Sequence, residues 1–577
     1  MKNREIADIF AQMGDIMEIL GQDPFRIASY RKAARVLSDL ITPVEDLAAV
    51  DELLTIPGVG KSTAEKIKAY LATGHIPQYE ELRKELPPNL LELLKLPGLG
   101  PKTAMKLWKE AGIESLADLA KAFDKQEERL KVVHGLGPKK IRQLWESLMF
   151  IQSAGGRTRL GEADALIREL VAAIGRAAGK GRVVPAGSYR RGRETVGDVD
   201  LLAEADSEQA AQRIVQEFTR AGNVRRVTAA GGTKASVVLT GEVQADLRVV
   251  ETASFGSALA YFTGSKAHNV RLREIAIKKK LKLNEYGLFR GQRRIAGADE
   301  ESIYEKLGLP FIEPELREDA GEIEAAREGR LPALVRQADI RADLHMHTTA
   351  SDGANTIDEM IQACRSRGYT CMAICDHSGS EVQANGLDED RMLQHAADIR
   401  RAAANYKDIA VLVGSEVDIL KDGRLDYSDQ VLAQLDFVVV SAHSALNMPA
   451  PEATARLIRA IEHPYVNCLG HPTGRLINAR PGMEIDIAQV ARAAAANHVA
   501  LEINAHYMRL DLRDTHVRAA VEAGAKILIN TDAHSADELE MMRFGVITAR
   551  RGWAQAADVI NTWTADRIRA FIGRKRK

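Results

Sequence analysis

The chain has 577 residues, 45% of them hydrophobic and 28% charged, and its net charge is −1 at pH 7. That length predicts several domains, because one domain typically holds about 100–200 residues. The balanced charge excludes an overall basic field, so any binding of nucleic acid must depend on local patches. The start of the chain is not a secretory signal, no apolar run reaches the roughly 18 residues of a membrane span, and the four cysteines lack metal-ribbon spacing, so a cytoplasmic protein is expected.

The first predicted domain covers residues 1–88 and is helical. Its segment PFRIASYRKAARVL, residues 24–37, combines basic side chains with an amphipathic pattern. The segment ELPPNL, residues 85–90, carries two prolines that interrupt a helix, and we place a domain boundary there. A second helical domain is expected over residues 89–153.

One short pattern recurs three times before residue 150: an apolar residue, a Gly-x-Gly turn and an amphipathic helix. The copies are LLTIPGVGKSTAEKI (53–67), LLKLPGLGPKTAMKLW (93–108) and VVHGLGPKKIRQLW (132–145). Glycine allows close approach of the backbone, and the N-terminus of the following helix offers N–H groups to an anion. A single copy is also typical of simple helix packing, but three copies resemble helix-hairpin-helix motifs, which bind DNA phosphates without reading sequence. The predicted DNA-binding residues are Gly58, Gly60, Lys61, Gly98, Gly100, Lys102, Gly135, Gly137 and Lys139.

The segment VVPAGSYRRGRETVGDVDLLAEA, residues 183–205, contains two carboxylates that alternate with apolar residues. Since residues i and i+2 of a strand face the same side, Asp198 and Asp200 converge. A third acid, Asp246, lies in another strand-like run, EVQADLRVV. Three convergent carboxylates suit two Mg²⁺ or Mn²⁺ ions for in-line phosphoryl transfer. The alternative is an acidic strand at the surface, which the Gly-Ser turn just upstream disfavours.

This region and the segment YFTGSKAHNVRLR, residues 261–273, resemble the nucleotidyltransferase palm and the dNTP-contacting segment of family X DNA polymerases. The resemblance implies that Asp198 and Asp200 bind both metal ions. It also implies that Asp246 binds the catalytic ion and helps to activate the primer 3′-hydroxyl.

The same resemblance implies a dNTP site with polar groups for the triphosphate and aromatic rings for the sugar. Ser188 and Arg191 would hold the outer phosphate oxygens. Tyr261 and Phe262 would pack under the sugar and disfavour a 2′-hydroxyl, and Asn269 would reach the minor-groove edge of the base. The implied nucleotide-binding residues are Gly187, Ser188, Arg191, Tyr261, Phe262, Gly264 and Asn269.

The chain departs from the eukaryotic members of that family at two positions. They carry an acidic residue just after the Thr-Gly-Ser turn, where this chain has Lys266. They also carry an arginine two residues before the third catalytic Asp, where this chain has Gln244. Both positions touch substrate stacking or primer positioning, so nucleotide selectivity and rate stay open while polymerase chemistry is expected.

The first helical domain resembles the small lyase domain of the same family, an 8 kDa-type domain. Lys66 falls where the Schiff-base lysine of that domain lies, but Arg26 and Ser62 replace two supporting lysines. A pocket for a DNA 5′-phosphate, formed by Arg26, Tyr30 and Lys61, is expected. Lyase activity through Lys66 is left open, because the alternative is an exposed helical lysine.

From residue 340 onward, six of the 14 histidines follow apolar, strand-like runs. Imidazoles and carboxylates at the carboxyl ends of successive strands are typical of the active face of a parallel α/β barrel. A single His or Asp at a strand end is more often a capping or hydrogen-bonding residue. So many of them, in step with seven strand-like runs, predict a cluster of two or three metal ions.

The order of these residues resembles the PHP (polymerase and histidinol phosphatase) domain, a distorted seven-stranded barrel. Members of that family bind three Mn, Zn or Fe ions and hydrolyse phosphoesters. Glu502, Asn504 and His506 lie near the strand that supplies no ligand. Support of the ligands is one alternative for these three residues, but a structural role is favoured. The implied metal ligands are His345, His347, Asp352, His377, Glu416, His443, His471, Asp532 and His534.

The resemblance to bacterial family X polymerases with a C-terminal PHP domain runs along essentially the whole chain. It predicts a multidomain protein with all-α helix-hairpin-helix domains, an α/β palm, an α+β thumb and a distorted (β/α)7 barrel. The predicted domains are a lyase-like domain (1–88), fingers (89–153), palm (154–255), thumb (256–315), linker (316–339) and PHP barrel (340–577).

These features predict a bacterial DNA-repair enzyme that fills short gaps, with gapped or nicked duplex DNA and dNTPs as substrates. The palm would use two Mg²⁺ or Mn²⁺ ions. The barrel, with a cluster of up to three Mn²⁺ or Zn²⁺ ions, would act as a Mn-dependent 3′→5′ exonuclease. Two alternatives stay open: the barrel cuts abasic sites or removes 3′-phosphates, or it is a metal-bound scaffold. A nucleoid-associated monomer is expected, with no membrane partner.

Overall fold

The computed structural model describes residues 2–38, 40, 44–56, 58–96, 99–125, 127–153 and 156–574. The chain divides into two compact units, residues 1–155 with 478–480 and residues 156–477 with 481–577. Within the described residues, no helix combines the length and apolar character that a membrane crossing requires.

The first unit is helical, as the sequence predicts. Phe10, Met13, Leu107 and Leu144 are among the buried residues of its hydrophobic core. Proline opens several of its helices, such as α5 and α6, because proline is tolerated at the first helical position. A glycine directly precedes α6. The helices are α1 (Lys2–Ile19), α2 (Pro24–Ser38), α3 (Val44–Ala49), α4 (Lys61–Thr73), α5 (Pro77–Lys84), α6 (Pro101–Ala111), α7 (Leu116–Lys125), α8 (Glu127–Lys131) and α9 (Pro138–Ser153).

The second unit begins with an α/β region whose main sheet has five strands in the order β2-β4-β7-β6-β5. Only β4 and β7 are parallel to each other; the other neighbours are antiparallel. The elements are β1 (Thr158–Arg159), α10 (Leu160–Ala178), β2 (Val183–Pro185), α11 (Gly187–Arg190), β3 (Thr195–Val196), β4 (Asp198–Glu204), α12 (Glu208–Thr219), β5 (Val224–Ala230), β6 (Lys234–Leu239) and β7 (Gln244–Val250).

A smaller α+β region follows, with a three-stranded antiparallel sheet in the order β10-β9-β8. Its helices bury Tyr304 and His268 together with the fully buried Arg317. The elements are α13 (Phe255–Thr263), α14 (Lys266–Lys278), β8 (Lys282–Asn284), β9 (Gly287–Arg290), β10 (Arg293–Ala296), α15 (Glu300–Leu307) and α16 (Glu322–Arg327).

The last region is a sheet of seven parallel strands in chain order, β11 to β17. The strands are almost continuously apolar and buried, as expected for strands covered on both faces. The elements are β11 (Ala342–Asp343), α17 (Ile357–Ser366), β12 (Cys371–Ile374), α18 (Glu389–Ala403), β13 (Ala410–Asp418), α19 (Asp429–Leu432), β14 (Phe437–Ser441), α20 (Ala450–Glu462), β15 (Cys468–Leu469), α21 (Ile487–Ala496), β16 (Ala500–Asn504), α22 (Asp514–Glu522), β17 (Lys526–Asn530), α23 (Met542–Arg551) and α24 (Ala565–Ile572).

The two edges of this sheet meet. The His347 N–H donates to the Ala533 carbonyl (2.9 Å), and the Asp532 N–H donates to the His345 carbonyl (2.9 Å). These bonds join the segment after β11 to the segment after β17 and nearly close the barrel. The predicted seven-stranded barrel is confirmed.

The five-stranded region and the barrel pack against each other within the second unit. At Gly161 and Gly192 the backbone lies so close to the barrel side chains Tyr507 and Ile547 that a Cβ on either glycine would overlap them. Three apolar barrel residues also join the hydrophobic core of the five-stranded sheet, namely Ile477, Leu510 and Phe544.

Candidate active sites

Three predicted carboxylates come together at one end of the five-stranded sheet. Asp198 and Asp200 open strand β4, and Asp246 lies opposite Asp200 in the parallel register of β4 and β7. Each residue offers a carboxylate oxygen, and the three oxygens lie within 4.8 Å of one another. The i, i+2 spacing and the parallel pairing of two neighbouring strands therefore produce a compact all-oxygen site.

The charge of this triad makes it a fit site for divalent cations. Burial, followed by the charges of Asp198 and Asp246, raises the pKa of Asp200 to about 7. Bound cations would relieve that repulsion, and oxygen ligands are the ones that Mg²⁺ prefers. Gln244 donates a hydrogen bond from Nε2 to Asp246 Oδ2 (2.8 Å), and Ser236 donates one to Oδ1. The residue that departs from the family pattern thus contacts the third carboxylate directly.

A cavity of about 710 Å³ opens beside the triad, lined by both Asp198 and Asp200. Gly187 has a φ of 60°, and a Cβ there would overlap Oδ2 of Asp200, so only glycine fits. Lys266, where the chain departs from the eukaryotic members, also lines the cavity. Four further lining residues are not among the sequence-predicted site residues, namely Arg157, Arg193, Arg273 and Glu318. All seven residues that the resemblance implies for nucleotide binding line it too: Gly187, Ser188, Arg191, Tyr261, Phe262, Gly264 and Asn269.

The nine residues predicted as barrel ligands lie at the carboxyl end of the barrel strands. Eight of them form three overlapping groups whose ligand atoms lie within 4.8 Å of one another in each group. The ninth, His471, contacts Glu416 Oε1 through Nε2 at 2.9 Å. The groups are His347, Asp352, His377 and His534; His345, His347, Glu416 and Asp532; and His377, Glu416 and His443.

Glu416 is at the centre of this cluster, and five imidazoles lie around its carboxylate. They belong to His345 (3.5 Å), His347 (3.7 Å), His377 (2.8 Å), His443 (3.4 Å) and His471 (2.9 Å). Burial raises the pKa of Glu416, but the surrounding imidazoles outweigh burial and hold it well below its usual value. A carboxylate kept ionised among several imidazoles is suited to bridge metal ions.

Buried polar atoms test whether metal ions fit this site. Among the described residues, Nε2 of His345, Nδ1 of His347 and Oε2 of Glu416 are buried and have no hydrogen-bond partner. Buried polar atoms are normally paired, and mixed nitrogen and oxygen donors suit Mn²⁺ or Zn²⁺. The residues present therefore fit a cluster of metal ions.

Two of the three residues near that strand, Glu502 and Asn504, contact the ligands directly, which agrees with the alternative and not with the favoured structural role. The Glu502 carboxylate pairs with Nδ1 of His345 (2.8 Å) and accepts a hydrogen bond from the His471 N–H (2.7 Å). Asn504 donates from Nδ2 to Asp532 Oδ2 (2.8 Å). Such partners orient ligands and tune their basicity. Strand β16 thus supports the cluster without adding a ligand.

Asp376 follows strand β12 and is next to the predicted ligand His377, but its carboxylate has a different role from the metal ligands. Asp376 is fully buried and lies outside the three ligand groups. It accepts hydrogen bonds from the N–H (2.9 Å) and the hydroxyl (2.8 Å) of Thr348, and it pairs with Nε2 of His395 (2.7 Å). Burial raises the pKa of Asp376, but His395 and other partners lower it to about 2. Asp376 and His395 brace the loop after the His-x-His pair.

The Gly-x-Gly turns of the first unit precede helices as predicted. Gly58 and Gly135 adopt positive φ values of 87° and 84°. Gly60 and Gly100 are the N-cap residues of α4 and α6, and a Cβ on either would meet nothing within 4 Å. Gly137 precedes α9, and a Cβ there would also meet nothing within 4 Å. The three predicted lysines, Lys61, Lys102 and Lys139, are exposed. Gly98 lies outside the described residues. These helix N-termini are open to an anion.

The residues predicted to bind a 5′-phosphate lie on α2 and α4. Arg26 is exposed, whereas Tyr30 is buried and donates its hydroxyl to Gln78 Oε1 (3.1 Å). Lys66 is half-buried, lies 5.8 Å above the Tyr30 ring and donates from Nζ to the Ser62 hydroxyl (2.7 Å). The arrangement brings Tyr30 and Lys66 together but gives Lys66 a hydroxyl partner where the family has a second lysine.

Models of known protein families match most of the chain. Family models match in order along the chain: a helix-hairpin-helix domain (1–76), a SAM-like helix-hairpin-helix tandem (90–149), a DNA polymerase beta palm (157–243), a DNA polymerase beta thumb (258–318) and a PHP domain (343–506).

Three curated proteins illustrate the range of relatives. The chain is 37% identical to the DNA polymerase/3′-5′ exonuclease PolX of Bacillus subtilis (strain 168), over 100% of both chains. It is 28% identical to DNA polymerase lambda of Arabidopsis thaliana, over 55% of this chain and 62% of that protein. It is 30% identical to a probable phosphatase of Shewanella sediminis, over 34% of this chain and 79% of that protein. The chain therefore belongs to the family X DNA polymerases, in the bacterial form that carries a C-terminal PHP domain.

Proposed function

We propose that this chain is a DNA-repair polymerase that extends a primer 3′-end in the palm and shortens a 3′-end in the barrel. One observation carries the polymerase half. The carboxylates of Asp198, Asp200 and Asp246 converge beside a cavity that all seven implied nucleotide-binding residues line. Full-length similarity to a protein named as both polymerase and 3′-5′ exonuclease supports the pairing of the two activities.

In the palm, the three carboxylates would hold two divalent ions, Mg²⁺ or Mn²⁺. These ions supply positive charge to the triphosphate and to the transition state of phosphoryl transfer. Gln244 and Ser236 each donate a hydrogen bond to one carboxylate oxygen of Asp246, which fixes the orientation of this carboxylate in the triad. Ser188 donates to the triphosphate with its hydroxyl.

Three further residues of the cavity select the nucleotide. The rings of Tyr261 and Phe262 lie edge to face at 5.1 Å, which forms an apolar wall for the sugar. Asn269 donates from Nδ2 to the Tyr261 carbonyl (2.8 Å), which fixes its amide at the cavity. These residues hold the dNTP and exclude bulk at the 2′ position.

In the barrel, the nine ligands would hold up to three ions, with Mn²⁺ as the ion that supports exonuclease activity. The carboxylate of Glu416 lies between the imidazoles. Glu502 orients His345 and His471 through its contacts with the His345 ring and the His471 N–H. A buried, pre-arranged ligand set of this kind suits phosphodiester hydrolysis, which needs charge held close to the scissile phosphate.

A second function of the barrel has an observation in its favour. A protein named as a probable phosphatase is 30% identical to the chain over 207 residues. This similarity supports removal of a terminal phosphate as an alternative to exonuclease action. The released product separates the alternatives, because an exonuclease releases nucleoside monophosphate, a 3′-phosphatase releases inorganic phosphate, and an abasic-site endonuclease shortens only a strand with an abasic site.

The first unit supports binding of gapped or nicked duplex DNA. Three helix N-termini after Gly-x-Gly turns present open N–H groups, and exposed lysines follow them. A 5′-phosphate at the far side of a gap would contact Arg26 and Lys61, near Tyr30. We propose that the enzyme acts on such DNA as a monomer.

The central experiment uses a 5′-labelled primer on a duplex with a one-nucleotide gap, with Mn²⁺ and with or without dNTPs. Asp198→Ala/Asp200→Ala is expected to abolish extension and keep shortening, whereas His345→Ala/His347→Ala is expected to do the reverse. The melting temperature of each variant separates loss of chemistry from loss of folding. Shortening that persists in the second variant would identify the barrel as a scaffold.

A further inference from the structure

The segment between α15 and α16, residues 308–321, is called the connector here. The carboxylate of Glu318 in this connector contacts arginines from two regions of the second unit. Its Oε1 accepts a hydrogen bond from Arg191 Nε at 3.0 Å and lies 3.8 Å from Arg193 Nη1. The same oxygen accepts a hydrogen bond from Arg551 Nη1 at 3.1 Å. Arg191 lines the nucleotide cavity, whereas Arg551 ends helix α23 of the barrel. One carboxylate therefore joins the palm cavity to the barrel.

Arg551 is itself fixed on the barrel side. It is 6% exposed, and its Nε and Nη2 contact Asp514 Oδ2 at 2.9 and 2.7 Å. Its Nη1 also donates to the backbone carbonyl of Arg191 at 2.6 Å. The barrel thus holds Arg191 at two points, at its backbone directly and at its side chain through Glu318.

The remaining contacts of Arg191 define how its guanidinium is oriented. Nη1 donates to the Thr263 carbonyl, and Nε is engaged by Glu318. Both of these hydrogen bonds use Nε and Nη1, which leaves Nη2 without a hydrogen bond to the described residues, and the side chain lines the cavity. A planar guanidinium with two fixed edges presents its third edge in one direction only.

The surroundings of Arg191 make a partner necessary. Burial lowers the pKa of Arg191, Glu318 opposes this shift, and the neighbouring charges of Arg551 and Arg193 add to it. A buried charge without a partner is strongly unfavourable, so a guanidinium that lost Glu318 would reorient toward solvent.

We propose that Glu318, anchored by Arg551 of the barrel, is a positioning residue for Arg191 and thereby sets the affinity of the palm for the triphosphate of an incoming dNTP. The inference rests on the proposed polymerase function. It assigns to the barrel a part in nucleotide binding that is separate from its own metal cluster.

The test compares Glu318→Gln and Arg551→Lys with two matched controls. Glu315 and Arg550 form a similar connector-to-α23 pair at 2.7 Å, and neither contacts Arg191. Glu315→Gln and Arg550→Lys therefore change the same kinds of group in the same two elements. The measured quantities are KM and kcat for single-nucleotide gap filling, the Kd for gapped DNA, the exonuclease rate and the melting temperature.

We expect Glu318→Gln and Arg551→Lys to raise the KM for dNTP about tenfold, the size of effect of one charge-assisted contact. DNA affinity and exonuclease rate stay at the wild-type values, and the melting temperature falls no further than in the controls. Both controls keep the wild-type KM within about twofold. Inhibition by pyrophosphate weakens in parallel with the KM, because pyrophosphate occupies the same phosphate subsites.

Three outcomes overturn the inference. In the first, the KM of Glu318→Gln equals that of Glu315→Gln. In the second, it falls below the wild-type value, which would mean that Glu318 competes with the triphosphate. In the third, all measured properties decline together with the melting temperature. Equilibrium binding of dNTP to the enzyme–DNA complex in Ca²⁺ is measured in parallel. A wild type that fails to extend the primer contradicts the proposed function, whereas a wild type that extends it beside an unchanged Glu318→Gln contradicts this inference alone.

Discussion

The palm and the barrel both gather ligands for divalent cations, but in opposite surroundings. The palm offers three carboxylates, and Asp198 is exposed to solvent. The barrel offers imidazoles and carboxylates, and His345, His347 and Glu416 are at most 1% exposed. An open, all-oxygen site suits ions that arrive and leave with a nucleotide, whereas a buried site with nitrogen ligands suits ions that stay bound. The two sites therefore differ in both burial and ligand type, which favours exchange of ions in the palm and retention of ions in the barrel.

The largest expected effect comes from Glu416→Gln, because five imidazoles surround that carboxylate. Loss of its charge is expected to deplete the bound metal and to lower the exonuclease rate about 10³-fold, or about 4 kcal/mol in transition-state stabilisation. Metal per chain is measured by mass spectrometry and shortening with a labelled primer. The exposed Glu462 on α20 gives the control Glu462→Gln. An equal loss of primer extension would contradict the independence of the two sites.

Gly187→Ala should affect the palm alone. The new Cβ would overlap Oδ2 of Asp200 and would sit on a residue with a φ of 60°. We expect extension to fall about 100-fold, since misplacement of a reacting group by about 1 Å can have that effect. Gly291→Ala is the control, because Gly291 also has a φ of 60° but a Cβ there meets nothing within 4 Å. If both variants lose extension equally, backbone strain and not the overlap is responsible.

Glu502→Gln tests the support of the barrel ligands. The variant keeps the size of the side chain but removes the charge that faces Nδ1 of His345. Metal affinity of the barrel is expected to fall about 10–100-fold, which is typical of partners that orient metal ligands. Competition with a fluorescent chelator measures the affinity. An unchanged affinity would show that the contact serves folding only, and the melting temperature of the metal-free variant provides the comparison.

A smaller effect is expected from pH, and its form differs between the sites. Asp200, with its pKa raised to about 7, is protonated below that pH in the metal-free palm, and a bound ion must displace the proton. Metal affinity of the palm should therefore rise about tenfold per pH unit below 7 and level off above it. In the barrel, nearby carboxylates outweigh burial and raise the pKa of His443 and His534 to about 10. Barrel affinity should therefore continue to rise through pH 8.

The same shift has a consequence for stability. Because the pKa of Asp200 is higher in the folded protein than in the unfolded chain, the folded state retains the proton and loses stability as pH rises from about 4 to 7. Asp200→Asn should therefore raise the melting temperature of the metal-free protein by a few degrees at pH 8 and have little effect at pH 4. Calorimetry at the two pH values measures the difference, and equal shifts at both would contradict this origin.

Residues that share a local pattern could be predicted from the sequence. Asp198 and Asp200 converge because strand periodicity places them on one side, and the histidines converge because parallel strands end at one face. The spacing of Glu502 left two roles open, support of the ligands and a structural role. It could not decide between them, because the contact with His345 depends on the closure of the barrel that brings β16 near β11.

Contacts across separate elements were also beyond sequence patterns. The interaction of Glu318 with Arg191 and Arg551 requires the connector, the residue after α11 and the end of α23 to meet at one point. Glu318 is separated from Arg191 by 127 positions and from Arg551 by 233 positions, and no periodicity of a helix or strand relates residues so far apart. Such contacts follow from tertiary packing, which a single sequence does not reveal.

The glycines at positions 161 and 192 have a consequence for exchanging domains between relatives. Their missing Cβ atoms allow Tyr507 and Ile547 to lie directly on the palm backbone. A polymerase core from a relative without a barrel would accept this barrel only if it carried glycine at both positions. We therefore expect chimeric proteins to assemble or separate according to these two small residues, and the pair offers a simple criterion for choosing compatible parents.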